Sequence, residues 1–264
     1  MPTATGHVRA VFLMADYGHD PVSDPMIEWP LATECLAAAD RYCAQTETAI
    51  PWTRFTEAGF SWLDAEAARR DPVALAAYTQ MTQSPEWQHP LAWVEESFTL
   101  AAYEIVFLPG GHDKAIRQIL DSARAQHLLA EYFPLTVKPS THICVAICHG
   151  VQVLAHAKTA DGISVLHNVA TTALPGITES SVYHGTRLVL GDYYKTYGGN
   201  SPTVETVVRK ALKSPNKQWL CSAILTSPFV VEDKFHNYIS GRWPGDAEVL
   251  SRKTIEMARA VASL

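Results

Sequence analysis

Short apolar runs alternate with longer amphipathic segments along most of this chain. VRAVFLMA (8–15), EIVFLPGG (104–111) and HICVAICHG (142–150) are each rich in Val, Ile and Phe and are each stopped by Gly or Pro. Continuous apolar runs of this length predict strands buried on both faces. KAIRQILDSARAQHLLAEYF after the second run and VQVLAHA after the third have helical spacing. Strand followed by helix, repeated, predicts an α/β fold built on an open parallel sheet whose strand ends share one edge, where ligands bind. SSVYHGTRLVLGDYYKTYG reads as a helical stretch. SPFVVEDKFHNYISGRWPGD holds two strand-like runs around a polar turn, a C-terminal β-hairpin, and AEVLSRKTIEMARAVASL closes the chain as an amphipathic helix. Between Pro21 and Gln88 the order is lost. Four tryptophans (29, 52, 62, 87) lie among alanine-rich helical pieces with no Val/Ile-rich run.

Composition narrows the function classes. The 264 residues suit a single domain able to bury about 70% of its unfolded surface. Five cysteines, irregularly placed and without a CxxC pair, fit neither a zinc ribbon nor a cystine scaffold, so a reducing compartment is expected. The N-terminal apolar run is too short to span a bilayer and lacks a signal-peptide layout, which predicts a cytoplasmic protein with no membrane partner. A formal charge of -6 without a basic cluster argues against nucleic acid. The expected partner is a small molecule.

Ala146-Ile147-Cys148-His149-Gly150 has the layout of a nucleophile elbow: apolar strand, reactive residue on a tight turn, small residue two places on, then a helix. A side chain at a helix start feels the positive end of the dipole, which favours thiolate, and the following N–H can hold an oxyanion. The competing reading is a buried structural cysteine. Cys144, alternating with Cys148, reads as core. Pro109-Gly110-Gly111-His112 ends the preceding strand, and Gly111 could supply a second oxyanion donor beside His149, with Gly110 and His112 at the pocket. His149 as base poses a geometric difficulty, because adjacent residues of a regular helix do not face one another. Only a strained elbow would bring its ring to the sulfur. Glu179 is the candidate acid to orient that ring, although taken alone it fits helix N-terminal capping near Thr178 better. Tyr193, Tyr194, Tyr197 and Trp243 are candidate pocket walls, with core packing the alternative.

PGGHDKAIRQ, VAICHGVQVL, VLHNVATTALPG, LGDYYKTYG and YISGRWPGDAE, in that order, resemble the ThiJ/PfpI superfamily, in particular its fungal and bacterial branch termed class I glutamine amidotransferase-like. The resemblance implies a flavodoxin-like sheet flanked by helices on both faces, a homodimer, no cofactor and no metal. It makes Cys148 the nucleophile with His149 beside it, and a glutamate near the first strand its proton shuttle. By motif that glutamate is Glu47 of TETAIPW. A carboxyl buried near a thiolate has a raised pKa and can move protons near neutrality.

Two departures from the pattern stand out. Residues 22–45 form an atypical insertion between GHDP and TETAIPW, and the customary second strand after TEAGF is missing. Asp24 and Glu28 are therefore alternatives to Glu47. Glutamine amidotransferase activity is not expected, since none of the eleven histidines is followed two places later by Glu. The leading expectation is a cofactor-independent cysteine enzyme on a small carbonyl compound, of glyoxalase, hydratase or hydrolase type. A specialised lyase or cyclase on the same residues is one alternative, a redox-sensing or holdase protein with a partly exposed Cys148 thiolate another. A metal enzyme using His149 and His156 lacks any supporting cluster.

Overall fold

The computed structural model describes residues 8–13, 76, 77, 79–81, 83, 91, 93, 95–111, 116–192, 194–222, 224 and 226–262. The expected insertion at 22–45 lies outside them. The three apolar runs form strands β1 (Ala10–Phe12), β2 (Ile105–Leu108) and β3 (Ile143–Ile147). The hairpin supplies β4 (Val230–Glu232) and β5 (Tyr238–Gly241). The spatial order is β1-β2-β3-β5-β4, parallel throughout except where β4 runs antiparallel to β5. Helices flank this sheet in a flavodoxin-like α/β arrangement. The C-terminal hairpin is thus no appendage, because β5 occupies the place beside β3 and pairs Ile147 with Gly241.

Strand alternation divides the core in two. Val106, Leu108, Cys144, Ala146 and Tyr238 face one cluster, while Ile105, Phe107, Val145, Ile147 and Ile239 face the other. Burial on both faces is what makes the strands read as unbroken apolar runs rather than alternating ones. The first cluster is covered by α1 (Arg117–Leu120), α2 (Ala123–Tyr132), α3 (Gly150–His156) and α5 (Val204–Ala211), and α4 (Gly176–Leu190) leads into the last of these. The second cluster is covered by the C-terminal helix α6 (Ala247–Val261) through Leu250, Met257 and Ala258.

Two boundaries differ from the sequence pattern for local reasons. The helix expected after β2 divides at Asp121, because Ser122 adopts an extended conformation and its Oγ accepts the Ala125 amide at 3.2 Å, starting α2 afresh. α4 stops at Gly191, whose φ of 58° suits a residue without Cβ, and Asp192, Tyr194, Thr196 and Tyr197 lie in turns rather than in more helix. α5 carries only two buried apolar residues, Val204 and Val208, and begins at a Thr203 cap that accepts the Thr206 amide.

The β4–β5 turn is built on Asp233. Its Oδ1 accepts the amides of Phe235 (2.9 Å) and His236 (2.8 Å) and lies 3.0 Å from His236 Nδ1, while Oδ2 accepts the Ala170 amide at 2.9 Å. Burial alone would raise this carboxyl, but the hydrogen bonds from His236, Ala170 and Phe235 outweigh it and hold the pKa down to about 2. A carboxyl depressed below its unfolded value stabilises the fold at pH above that value, and the contribution is lost as pH falls through the folded one. Thermal unfolding of the wild type should therefore lose ground between about pH 4 and pH 2. Asp233→Asn should start less stable and show a shallower loss over the same window; a parallel decline in both proteins would show that Asp233 is not the group responsible.

Candidate active site

β2, β3 and β5 are parallel and end together, so Leu108, Ile147 and Gly241 deliver their following residues to one edge of the sheet. Cys148 leaves β3 with φ 57°, a left-handed conformation, and it is the one non-glycine residue with positive φ among the described residues. A side chain there costs about 1–2 kcal/mol. Two contacts hold the turn. The Cys148 amide donates to the Gly241 carbonyl at 3.1 Å, carrying the β3–β5 pairing one residue past the ladder. Gly150, at the start of α3, sits so close to the end of β2 that a Cβ would collide with the carbonyl oxygens of Leu108 and of Pro109, the latter at 2.5 Å. The small residue of the elbow is there for this clearance.

The strained turn also resolves the difficulty with His149. Its backbone is helical (φ -66°, ψ -23°), yet its Nδ1 lies 3.5 Å from Cys148 Sγ, because the left-handed residue before it breaks the regular helical register. Sulfur and imidazole are paired at an adjacent position where an unbroken helix would separate them. Both residues are buried: Cys148 is 4% exposed and packs within the cluster that includes Ile147, Phe107 and Leu250. Cys148 is thus more buried than the partly exposed thiolate expected for a redox sensor.

Gly110 and Gly111 follow Pro109 and are half-buried, and Gly111 has φ 145°. Because the Pro109 carbonyl abuts Gly150, this turn lies against the elbow. His112, Tyr193, Glu47, Asp24 and Glu28 lie outside the described residues.

Glu179 is placed elsewhere. It is buried in the first turn of α4, where Oε1 accepts from Lys195 Nζ at 3.4 Å and Oε2 accepts the Val204 amide at 2.8 Å. Neither oxygen bonds His149. The physical reason is Lys195, itself buried, which needs a counterion, and the α5 N-terminus, which needs an acceptor for its first amide. Burial pushes the Glu179 carboxyl up, with the Val204 amide and Lys195 opposing it. Tyr197 is 41% exposed; its hydroxyl is bonded to Asp121 at 2.5 Å and its ring lies under Arg117, a surface clasp rather than a pocket wall. Trp243 is half-buried beside Gly245, in the turn leading to α6. Cys144 is fully buried, and burial pushes its thiol up, as suits core packing. Among the described residues no group of three His, Cys, Asp or Glu side chains could hold a metal, and no helix is long and apolar enough to cross a membrane. An open groove of about 560 Å³, lined by Gly176, Ser180, Thr203 and Arg209 among others, shares no residue with the elbow.

Two features went unread in the sequence. Arg242, immediately after β5, is 0% exposed and forms a fully buried pair with Asp246 at 2.9 Å. Ser240 Oγ accepts the Thr172 amide at 2.9 Å, and Thr171 Oγ1 lies 2.8 Å from the Tyr238 hydroxyl, tying the ATT loop to β5. The signal available for the first was an Arg and an Asp four apart around a Pro-Gly turn, a spacing that surface pairs share. For the elbow itself the expected outcome of Gly150→Ala is clear. The added methyl meets backbone that cannot rotate away, and denaturant unfolding should report a loss of about 3 kcal/mol or more; a loss under about 1 kcal/mol would mean that the turn has slack.

Comparison with known proteins bears on family and fold. A family model described as ThiJ/PfpI family-like matches residues 63–222, which contain the Pro109-Gly110-Gly111 turn and the Cys148 elbow. An uncharacterized protein of Schizosaccharomyces pombe is 24% identical over 242 residues, covering 83% of this chain and 80% of that one. Among solved structures, the Francisella tularensis Rapid Encystment Protein 24 kDa superposes with TM-score 0.65 at 11% identity, covering 95% of this chain and 99% of that one. Glyoxalase III of Candida albicans gives TM-score 0.61 at 14% identity, covering 95% and 97%. At these identities the two structures speak for the fold, and the model match, spanning more than half of the sequence, places the chain in the ThiJ/PfpI family.

Proposed function

We propose that this protein is a cofactor-independent cysteine enzyme acting on small 2-oxoaldehydes, with conversion of methylglyoxal to lactate as the simplest case. The observation that carries the reading is the left-handed Cys148 whose sulfur lies 3.5 Å from His149 Nδ1 at the carboxyl edge of the sheet. Strain of this kind is kept where surrounding structure over-determines it, and it clusters at functional sites. The likeness in fold to glyoxalase III of Candida albicans suggests the reaction class.

The reaction balances without an external oxidant. The Cys148 thiol adds across the aldehyde: sulfur bonds to carbon, and the thiol proton passes by way of His149 to the new oxygen. The resulting hemithioacetal loses its carbon-bound proton to give an enediol, which is reprotonated at the neighbouring carbon. The aldehyde carbon is thereby oxidised to a thioester and the ketone carbon reduced to an alcohol. Water then releases the hydroxy acid and restores the thiol. His149 stands where it can accept and return the thiol proton, the role of a general base beside a nucleophile. The amides of His149 and Gly111 are the donors proposed for the developing oxyanion. The glutamate that family resemblance assigns as second proton carrier is Glu47.

Stress sensing without turnover is the competing reading, and since both need a reagent to reach a sulfur that is 4% exposed, turnover is what separates them. Turnover of methylglyoxal, followed as lactate formed, should be lost in Cys148→Ala and fall about 100-fold or more in His149→Gln. Full turnover by Cys148→Ala would end this reading.

A further inference from the structure

The buried Arg242–Asp246 pair is more than a core contact. Every nitrogen of the Arg242 guanidinium has a partner. Nε and Nη2 grip the two Asp246 oxygens at 3.0 and 2.9 Å, Nη1 donates to the carbonyls of Ser222 (3.1 Å) and Ile224 (3.2 Å), and Nη2 also donates to Ser227 (2.7 Å). Asp246 in turn accepts the amides of Arg242 and Phe229, both at 2.8 Å. One side-chain pair thus fastens three pieces of chain: the end of β5, the 222–229 segment and the start of α6. The residue before Arg242 is Gly241, whose carbonyl receives the Cys148 amide. Arg242 is fastened through both backbone and side chain, so the peptide carrying that carbonyl has little freedom to turn.

We infer that Arg242 and Asp246 are positioning residues for Cys148, fixing through the Gly241 carbonyl the left-handed turn that brings the sulfur to His149. The inference rests on the reading of Cys148 as nucleophile, but it concerns the geometry of the pair and not the substrate. Neither residue touches the sulfur. Their effect runs along four atoms of backbone, from a planar fork that a lysine cannot reproduce.

The test is alkylation of Cys148 in the full chain by iodoacetamide, followed by mass spectrometry of the Cys148 peptide from pH 5 to 10, in wild type, Arg242→Lys and Asp246→Asn. Tyr132→Phe is the control. Its hydroxyl lies near the carbonyls of Glu104 and Ile143, at the opposite end of β2 and β3, so it perturbs the same strands without touching the elbow. Both pair variants should slow alkylation at pH 7 by about tenfold and revert to the single titration of a buried thiol, above the roughly 8.5 of a free one, whereas the wild type and the control keep a profile shaped by a second group. Folded Arg242→Lys or Asp246→Asn with the wild-type profile overturns the inference. Should neither variant fold, amide exchange in the wild type decides. The Cys148 and Arg242 amides should open together; a Cys148 amide that exchanges much faster than that of Arg242 refutes the coupling. None of these readouts needs turnover, so a protein inactive on 2-oxoaldehydes can still carry the positioning pair, and an active one can still lack it.

Discussion

One hydrogen bond, from the Cys148 amide to the Gly241 carbonyl, sets the geometry at the sheet edge. In a parallel ladder this bond is ordinary; here the donor has already left the extended region and holds φ 57°. Without an acceptor at that spot the cysteine would relax by about 1–2 kcal/mol into a right-handed turn, and the His149 ring would swing away from the sulfur. The bond keeps the residue past the ladder pinned to its neighbour strand while the chain reverses into α3. The Gly150 clearance does the rest, letting α3 start directly against the end of β2.

That constraint explains why β5 must be where it is. A hairpin attached at the sheet margin would leave the carboxyl end of β3 without a partner on one side. Inserted beside β3, it supplies the acceptor, and the reversal at Asp233 that makes the insertion possible is itself bonded to the loop at Ala170. The charged groups beside this arrangement, Arg242 and Asp246, are buried and hydrogen-bonded rather than removed. Arg242 and Asp246 illustrate the balance: an ion pair taken out of water gains little over a well-packed apolar pair, but removing one partner leaves an unpaired buried charge at a cost of about 3–5 kcal/mol. A pair of this kind earns little net stability and fixes one arrangement of the chain. That is the property a strained turn requires.

Much of the fold was legible because burial on both faces leaves a plain signal. Ile105–Leu108 and Ile143–Ile147 could be read as strands from their unbroken apolar character, and the elbow from the cysteine, histidine and glycine that interrupt the second of them. The C-terminal hairpin was legible as a hairpin, but its position was not, since pairing partners across about 90 residues leave no local trace. Helix limits failed where a side chain competed with the helix for backbone groups, at Ser122, or where a glycine turned the chain, at Gly191. Glu179 was misread for a related reason. Its spacing from the elbow said nothing about Lys195, and a buried lysine is a stronger claim on a carboxylate than a histidine that already faces a thiol. Arg242 escaped notice because a sequence does not distinguish a charge pair at 0% exposure from one on the surface.

Burial of the thiol bears on the kind of chemistry the elbow can do. An isolated thiolate in hydrocarbon is unfavourable, as the upward push on Cys144 in the same strand shows. Cys148 differs from Cys144 by having an imidazole nitrogen at 3.5 Å. A proton moving from sulfur to that nitrogen creates an ion pair and not a lone charge, so the nucleophile can be generated inside the fold while net charge is conserved. On the proposed reading such a pair is best used on an uncharged electrophile, because a charge brought among Ile147, Phe107 and Leu250 is costly to desolvate. The small carbonyl compound proposed as substrate would meet that condition: it would enter neutral and take on negative charge at oxygen only when sulfur adds, beside the imidazolium formed by that proton transfer.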